Sequence, residues 1–377
     1  MRIAMVSNNY TPYSGGVVSS LNAIVPQLQA LGHEVIIVTL DFTGDHCDPD
    51  YVIRIKTCLK FLYKNNHMAL PWRLHQQLQQ ILINYNPDII HIHHPFLLGA
   101  AAVRIAKKLQ KKVIFTHHTL YHAYAHYIPF APIALTQKCI NALVTSLCNK
   151  VDGIVIPTFD VMQFLIPAIH YKTIVLPSPL QSHFLNNQFI PKNKESKFRL
   201  LTIGRMVPEK NVKWLLEMFT GLNPELFEFT LVGYGSSYNE LQTYAYDLLK
   251  LSSTTVKFVH KPDKELLKLF YRNADLFIFA SQTDTQALVL AESMAFGTPV
   301  IALDGVGQRH IVEQGYNGYL VHSHHEMRLL IQALANDADH HMYLQKNAFQ
   351  TSLGYHPAVL AEKLITFYLK TGCNTVC

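Results

Sequence analysis

Residues 276–303 read LFIFASQTDTQALVLAESMAFGTPVIAL, and the fold can be inferred outward from this stretch. The apolar run at 276–280 is typical of a parallel strand that is covered on both faces. A polar turn follows, then a helical apolar pattern that ends at Gly297 and Pro299, and then a second apolar strand. This order predicts a βαβ unit, in which ligands bind at the carboxyl ends of the strands.

Two acidic residues lie where that unit would hold a ligand. Asp284 is in the turn, and Glu292 is about two turns further along the helix. The N–H groups and the positive dipole end at the start of a helix favour a phosphate at the same place. The alternative interpretation is structural: Asp284 caps the helix, and Glu292 pairs with a neighbouring base.

The stretch resembles the nucleotide-sugar signature of retaining glycosyltransferases of family 4, in which an acid, seven residues and a second acid precede A-M-A-x-G-x-P-V. The resemblance implies that the first acid, here Asp284, touches the donor hexose and that the second, Glu292, binds the ribose. The residues between them, Gln286, Ala287 and Leu288, would meet the phosphate. Asp284 stands where the family has Glu, and its shorter side chain reaches less far toward the hexose.

Length and composition indicate the class of protein. A chain of 377 residues suits two domains of ordinary size, and a hydrophobic share of 49% is typical of a globular protein. No apolar run approaches the roughly 18 to 20 residues that cross a bilayer, and MRIAMVSNNY lacks a signal-peptide pattern. We therefore expect a cytoplasmic protein. The cysteines form no CxxC pair, which argues against a zinc knuckle or a thioredoxin-type site.

The charge is unevenly distributed along the chain. Residues 1–180 hold 14 Lys and Arg against 8 Asp and Glu, whereas residues 181–377 hold 18 of each, so the formal net charge of +6 lies in the first half. A basic half indicates an anionic partner on that side. We do not expect nucleic acid, because the basic residues form no recognition motif.

Residues 54–82 interleave basic and aromatic side chains, among them Lys56, Lys60, Phe61 and Trp72. This pattern predicts a surface helix or loop that lies on an anionic membrane. The alternative is an ordinary amphipathic helix with a solvated basic face.

A second βαβ pattern opens the chain. A strand at 2–7 leads to the pair Gly15-Gly16, which opens a helix, and a further strand follows at 35–40. Glycine suits a loop whose backbone approaches a ligand closely. In the family that the chain resembles, the equivalent loop faces the donor phosphates and the transferred sugar, which assigns that role to Gly16.

Histidines are concentrated between residues 91 and 126. His91, His93 and His94 approach some zinc signatures, but no matching acid or later histidine spacing completes such a site, and we expect no metal. Residues 116–129, THHTLYHAYAHYIP, resemble the T-Y-H-T-x-Y-x-x-Y-x-H-Y-I-P run of diacylglycerol glucosyltransferases and their relatives. The resemblance makes His118 the active-site histidine. It places four residues on the acceptor side: Tyr121, Tyr124, His126 and Tyr127.

The second half begins with a strand and the turn GRMVPEKNV at 204–212. Arg205 and Lys210 lie five residues apart between a strand and a helix, so both cations can converge on a diphosphate. The turn resembles the family motif G-R-x-x-x-E-K-N, whose Arg and Lys neutralise the leaving nucleotide diphosphate. By the same resemblance the backbone near Lys261 binds the base.

We therefore predict an α/β protein of the GT-B class, with two doubly wound Rossmann-like domains that face each other across a cleft. The expected boundaries are 1–185 for an acceptor-binding domain, 186–355 for a nucleotide-sugar-binding domain, and 356–377 for a helix that crosses back to the first domain. The expected catalytic residues are His118, Arg205, Lys210 and Asp284.

The predicted function is retaining transfer of a glucose-type or mannose-type hexose from a UDP- or GDP-sugar to a lipid acceptor such as diacylglycerol. The reaction needs no cofactor and no metal, and the enzyme would sit peripherally on the inner face of the membrane. One alternative is a transferase that acts on lipopolysaccharide or another glycan. Another is a catalytically inactive membrane- or glycan-binding protein on the same scaffold.

Overall fold

The computed structural model describes residues 1–13, 15–42, 47–63, 66–118, 121, 132–165, 167–186, 188–192 and 196–372, and for residues 62, 63, 66–68, 164 and 372 it describes the backbone alone. The chain forms two compact units. Unit 1 comprises Met1–Gln181 and Pro357–Cys377, and unit 2 comprises Ser182–His356.

The regular elements alternate between strands and helices along most of the chain. The strands are β1 Arg2–Val6, β2 Glu34–Leu40, β3 Val52–Ile55, β4 Thr57–Tyr63, β5 Asn66–Pro71, β6 Ile89–Ile92, β7 Lys112–Thr116, β8 Gly153–Ile156, β9 Thr173–Val175, β10 Phe198–Arg205, β11 Phe227–Tyr234, β12 Val256–His260, β13 Leu276–Phe279, β14 Val300–Leu303 and β15 Gly318–Val321. The helices are α1 Gly16–Ala30, α2 Leu74–Tyr85, α3 Leu98–Leu109, α4 Ile133–Lys150, α5 Val212–Phe219, α6 Tyr238–Thr243, α7 Lys264–Asn273, α8 Leu288–Ala295, α9 His324–Asn336, α10 Ala338–Leu353 and α11 Pro357–Gly372.

Unit 1 is built on a parallel sheet with the strand order β3-β2-β1-β6-β7-β8-β9 within its described residues. Helices cover both faces of this sheet. Helices α1 and α11 pack on one face, where Leu21, Leu28 and Leu364 join the core, and α2, α3 and α4 pack on the other. The strands are therefore buried on both sides, which explains their continuous apolar runs.

Unit 2 contains a second parallel sheet, with the order β12-β11-β10-β13-β14-β15. This is the strand order of a doubly wound dinucleotide-binding domain, and its direction reverses between β10 and β13. The stretch 276–303 supplies β13, α8 and β14, so the βαβ unit that the sequence predicted is present. In unit 1 the equivalent reversal lies between β1 and β6.

The segment at 54–82 differs from the prediction of a surface helix or loop. Its first part forms an antiparallel hairpin of β4 and β5, and the helix α2 begins only at Leu74. The physical reason is the spacing of the side chains. Leu59 and Phe61 alternate with Cys58 and Lys60 at a period of two, which is the period of a strand.

Candidate functional site

The candidate site lies at the carboxyl edge of the sheet of unit 2, where the strand order reverses between β10 and β13. Arg205 is the last residue of β10, and Lys210 ends the 3-10 turn Pro208–Lys210 that follows it. Asp284 lies in the turn after β13. Because β10 and β13 are parallel neighbours, these residues share one edge of the sheet, at the position where such folds bind ligands.

Lys210 and Asp284 form an ion pair. The Lys210 ammonium lies 2.6 Å from both carboxylate oxygens of Asp284, and the two side chains are 19% and 22% exposed. The ammonium also lies 5.8 Å from the centre of the Phe279 ring. Arg205 is exposed, and the described part of the chain gives it no ion-pair partner. The edge thus holds one accessible guanidinium and one ammonium that Asp284 already neutralises.

The structural interpretation of Asp284 as a helix cap is wrong. The residue before α8 is Ala287, whose backbone is left-handed with φ 49°, and no side chain caps the helix. Gln286 and Ala287 are both buried, and Leu288 is the first residue of α8. A cation, an ion-paired ammonium and a helix N-terminus at one edge suit an anion such as a diphosphate.

The turn that carries Asp284 rests against the loop after β14. A Cβ atom at Gly307 would lie 2.6 Å from the carbonyl oxygen of Asp284 and 2.9 Å from the backbone nitrogens of Gln286 and Ala287. Only a glycine permits this approach. The buried Gln308 next to it donates hydrogen bonds to the carbonyls of Ser281 and Leu303. The sequence analysis missed both residues, although the glycine-rich DGVG run before Gln308 was a visible signal.

Glu292 projects from α8 and accepts a hydrogen bond of 2.7 Å from the hydroxyl of Tyr271. The alternative that Glu292 pairs with a base is wrong for the described residues, because its recorded partner is this neutral hydroxyl. Burial raises the pKa of Glu292 to about 7, and the hydrogen bond from Tyr271 opposes that rise. Tyr271 is fully buried at the end of α7, and nothing in its local sequence pattern indicated this contact.

The ends of β11 and β12 complete this edge. A Cβ atom at Gly233 would lie 1.9 Å from the carbonyl oxygen of Gly204, so a side chain at this position would clash with β10. The backbone N–H of Lys261 donates to the carbonyl of Gly233 at 3.2 Å, and the Lys261 ammonium lies 5.6 Å from the centre of the Tyr234 ring. The turn after β12 is thereby held next to the turn after β11.

In unit 1, His118 follows β7 and lies beside the carboxyl end of β6. Its Nε2 is 2.9 Å from Nδ1 of His93, and the two rings stack with centroids 5.2 Å apart. Burial lowers the pKa values of both rings well below the ordinary histidine range, and each ring also lies near other histidines. Both rings are therefore neutral at physiological pH.

The remaining predicted residues of unit 1 are less informative. Gly16 begins α1, is exposed, and has open space where a Cβ atom would lie. Tyr121 is half-buried and packs edge-on against Phe96 and His117, so part of its ring belongs to the core. Tyr124, His126 and Tyr127 lie outside the described residues.

The described residues contain no group of three or more His, Cys, Asp or Glu side chains that could hold a metal ion. None of their helices combines the length and the apolar character that a membrane-spanning segment needs.

Solved structures resemble this fold along the whole chain. One is HepE of Anabaena in complex with UDP, with a TM-score of 0.76 over 98% of this chain and 100% of that chain, at 14% sequence identity. At this level of identity the likeness shows the fold alone. The fold is GT-B, with two Rossmann-like α/β domains, as the sequence predicted.

Family models match each half of the chain. The model described as Glycosyltransferase Family 4 matches residues 14–177, and the model described as Glycosyl transferases group 1 matches residues 184–351. The chain belongs to these GT-B glycosyltransferases of family 4, and it is a hexosyltransferase.

Two curated relatives carry the same printed name, alpha-monoglucosyldiacylglycerol synthase. That of Streptococcus pneumoniae is 28% identical over 355 residues, which cover 90% of this chain and 79% of the relative. That of Acholeplasma laidlawii is 27% identical over 396 aligned positions, which cover 98% of this chain and 97% of the relative.

Proposed function

We propose that this chain is a retaining glycosyltransferase that moves a hexose, of the glucose type or else the mannose type, from a UDP- or GDP-sugar to a lipid acceptor such as diacylglycerol. The observation that supports the binding of a nucleotide-sugar donor is the position of Arg205 and of the Lys210–Asp284 pair at the same edge of the sheet of unit 2, where the strand order reverses. The lipid half is supported by the names of the two relatives, which favour glucose as the transferred sugar.

The proposed chemistry follows from where charge develops. As the bond to the diphosphate breaks, the sugar becomes positive and the departing phosphate becomes negative. Arg205 and Lys210 stabilise that phosphate, together with the N-terminus of α8 at Gln286, Ala287 and Leu288. No metal is then required to neutralise the leaving group.

Asp284 and Glu292 bind the two ends of the donor in this proposal. The carboxylate of Glu292 accepts hydrogen bonds from the hydroxyls of the ribose, and the carboxylate of Asp284 accepts a hydrogen bond from a hydroxyl of the hexose. Because Asp284 holds Lys210 in the structure, the arriving diphosphate competes with this carboxylate for the ammonium. Retention follows if the acceptor attacks from the side that the phosphate leaves, with a phosphate oxygen taking the proton of the acceptor, so no protein nucleophile is needed.

Unit 1 supplies the remaining residues for the acceptor and the transferred sugar. We assign the acceptor side to Tyr121, Tyr124, His126 and Tyr127, and contacts with the donor sugar to His118 and the loop at Gly16. In unit 2, the backbone at Lys261 is assigned to the base.

Lys210→Ala and Glu292→Ala are each expected to lower hexosyl transfer at least about 100-fold, the scale of losing a charge-stabilising contact in a transition state. Initial rates at saturating lipid measure this. Lys213→Ala is the matched control, because Lys213 lies three residues on and forms an exposed ion pair with Glu240. Near-normal turnover in either variant would refute the assigned roles.

The substrates can be identified with radiolabelled UDP- and GDP-hexoses and a total lipid extract. Label in a lipid that contains diacylglycerol supports the proposal. Label in a water-soluble glycan or in lipopolysaccharide supports the alternative acceptor. Neither transfer nor hydrolysis of any nucleotide sugar supports an inactive binding protein.

The hairpin of β4 and β5 is the element that we propose rests on an anionic membrane at the cytoplasmic face. Leu59 and Leu70 are direct cross-strand partners and are 51% and 46% exposed, and Phe61 lies on the same face at 41%. Trp72, at 57%, follows the hairpin. An apolar face of this kind, on the unit that holds the excess of positive charge, suits insertion among anionic headgroups.

A vesicle-binding assay tests this surface. Phe61→Ser is expected to weaken binding to anionic vesicles about 10-fold, because inserting a phenylalanine side chain contributes roughly 1.5–3 kcal/mol. Phe159→Ser is the control, since Phe159 is 68% exposed elsewhere on unit 1. Binding should also fall with added salt. Equal loss in both variants, or no binding at low salt, would remove the hairpin from the proposal.

A further inference from the structure

A lysine from the segment before β10 reaches into the interior of unit 2. The ammonium of Lys192 donates hydrogen bonds to the backbone carbonyl of Tyr271 at 3.0 Å, to that of Ala274, and to the hydroxyl of Thr298. The three acceptors belong to buried residues, the most exposed of which is Ala274 at 4%. An ammonium has three N–H groups, so each of them has a partner here.

These contacts hold Lys192 by dipoles and not by a carboxylate, since the described residues give its ammonium no ion pair. Burial lowers the pKa of Lys192 to about 7, and the nearby Asp275 opposes this fall. On either side of that pKa the nitrogen keeps at least two N–H groups, which is enough for the two carbonyls. The contacts with the backbone therefore do not depend on the charge of Lys192.

The two carbonyls lie at the carboxyl end of α7, where a helix leaves its last carbonyls without partners of its own. In a longer helix the N–H of Asp275 would bond to the carbonyl of Tyr271, but here it donates to the carbonyl of Arg199 in β10. The hydroxyl of Thr298 donates to the carbonyl of Tyr271 at 2.8 Å. Lys192 and Thr298 thus bind the carbonyl that the end of the helix leaves open.

The same contacts are connected to α8, the helix that carries Glu292. The hydroxyl of Ser293 donates to the carbonyl of Thr298 at 3.1 Å, and the N–H of Thr298 donates to the carbonyl of Ser293 at 3.2 Å. Tyr271 is fully buried, and its hydroxyl donates to Glu292. The buried side chain of Tyr271 therefore joins the contacts of Lys192, at its backbone end, to the carboxylate of Glu292 at its hydroxyl end.

We propose that Lys192 is a positioning residue, which holds Tyr271 so that its hydroxyl orients the carboxylate of Glu292 toward the ribose of the donor. This inference rests on the proposed function and adds a residue that acts on the ribose contact without touching the donor. An ammonium suits this place, because its three N–H groups diverge toward three acceptors. The guanidinium of an arginine would present its donors in one plane.

Nucleotide binding tests the consequence for the ribose. Calorimetry at pH 8 compares three probes: UDP or GDP, whichever binds the wild type more tightly, its 2′,3′-dideoxy counterpart, and pyrophosphate. The wild type should prefer the ribonucleotide over the dideoxy nucleotide at least about 10-fold, because hydrogen bonds to a charged carboxylate are lost. Lys192→Met has no N–H group and should reduce this preference to about threefold or less, with pyrophosphate affinity within about twofold of the wild type.

Two more variants complete this test. Lys197→Met is the matched control, because Lys197 lies in the same segment and donates to the carbonyl of Pro224 at the surface, at 2.7 Å. Lys192→Gln keeps an N–H donor on a shorter side chain, should show an intermediate preference, and replaces Lys192→Met if that variant does not fold. An unchanged ribonucleotide preference would overturn the proposal. So would an equal loss of affinity for all three probes, since that result means general disruption of unit 2.

The pKa of Glu292 gives a second readout that needs no ligand. The hydrogen bond from Tyr271 lowers this pKa, so displacing the hydroxyl should raise it further. Titration of the full-length protein with 13C-labelled glutamate measures the pKa, and Glu292→Gln identifies the signal. Tyr271→Phe and Lys192→Met should both raise the pKa of Glu292, whereas Lys197→Met should leave it unchanged.

A double variant separates positioning from a direct effect of charge. Removing the positive charge of Lys192 could by itself raise the pKa of a carboxylate. In the Tyr271→Phe background no hydroxyl is left to position, so Lys192→Met should raise the pKa of Glu292 less than it does in the wild type. Equal shifts in the two backgrounds would show that Lys192 acts by its charge and would overturn the proposal.

The two readouts also separate this inference from the proposed function. If neither UDP nor GDP binds the wild type, the proposed function fails. The titration of Glu292 then still decides whether Lys192 acts on this carboxylate through Tyr271.

Discussion

At the scale of single residues, the candidate site combines groups that the sequence indicated with partners that it did not. Asp284 and Lys210 were each predicted to contact the donor, and the structure pairs them with each other. A pattern in the sequence shows which residue types are present, but it does not show which of them neutralise each other across 74 residues. Glu292 was predicted to bind the ribose, and the structure gives it a partner that the sequence did not indicate, a buried tyrosine hydroxyl.

This environment gives Glu292 a defined pH dependence. Burial raises the pKa of Glu292 from 4.5 to about 7. Between pH 4.5 and pH 7, Glu292 therefore keeps its proton in the folded protein but loses it in the unfolded chain. Below pH 4.5 the residue does not lower the stability of the folded protein, whereas from pH 4.5 to pH 7 the stability falls as the pH rises, and at higher pH it has lost the full cost of a buried carboxylate. The carboxylate is nevertheless the form that accepts ribose hydroxyls best.

We therefore expect nucleotide-sugar affinity to rise between pH 6 and pH 8 in the wild type and to be low and flat in Glu292→Gln. The same variant should have a higher Tm than the wild type at pH 8, by roughly 2 °C or more, and no gain at pH 4.5. Calorimetric titration and thermal unfolding measure the two effects. Glu240→Gln, an exposed carboxylate on unit 2, should change neither. An unchanged Tm in Glu292→Gln at pH 8 would contradict the raised pKa.

At the scale of elements, the turn between β13 and α8 owes its shape to a loop that follows 20 residues later in the chain. Gly307 lies against the backbone of residues 284–287, and Gln308 holds the carbonyls at the ends of β13 and β14. The sequence indicated the turn and its acids, because strand and helix periods are local signals. The contacts of Gly307 and Gln308 with this turn join separate elements, so no periodic pattern in the sequence indicates them.

Gly307→Ala tests that support. The added methyl group would overlap backbone atoms at 2.6–2.9 Å, so the turn has to shift, and kcat/KM for the nucleotide sugar should fall about 10-fold or more. Gly354→Ala is the control, because its nearest backbone contact would be 3.4 Å at the end of α10. Equal activity of the two variants would show that the turn does not depend on the loop.

At the scale of the whole molecule, the two units have separate cores, and the last helix belongs to the first unit. Leu364 of α11 is 4% exposed and lies in the same cluster as Leu21 and Leu28 of α1. Tyr368, also on α11, bonds to His91 of β6. Helix α11 therefore contributes to the stability of unit 1 through its contacts with α1 and β6.

Differential scanning calorimetry should show separate unfolding transitions for the two units, and it can therefore test whether α11 stabilises unit 1. Leu364→Ala is expected to lower the transition of unit 1 by about 5 °C or more, since a buried leucine deletion costs roughly 2–5 kcal/mol. Leu369→Ala, at a position that is 54% exposed on the same helix, should have little effect. A nucleoside diphosphate should raise the transition of unit 2. If Leu364→Ala lowered only the transition that the nucleotide raises, the assignment of α11 to unit 1 would be wrong.

The sequence by itself determined the α/β class, the βαβ unit at 276–303 and the residue types at the edge of each sheet. It could do so because the spacing of apolar residues, and the glycines and prolines that end helices and strands, are signals within a few neighbouring residues. It misassigned residues 57–71, where a short alternating run is compatible with more than one element until a second strand pairs with it. Only the tertiary structure decided which charges pair and that Gly307 supports the turn at 284–287. These contacts join positions far apart in the chain, and their energies depend on distance and burial, which arise only when the sheets form.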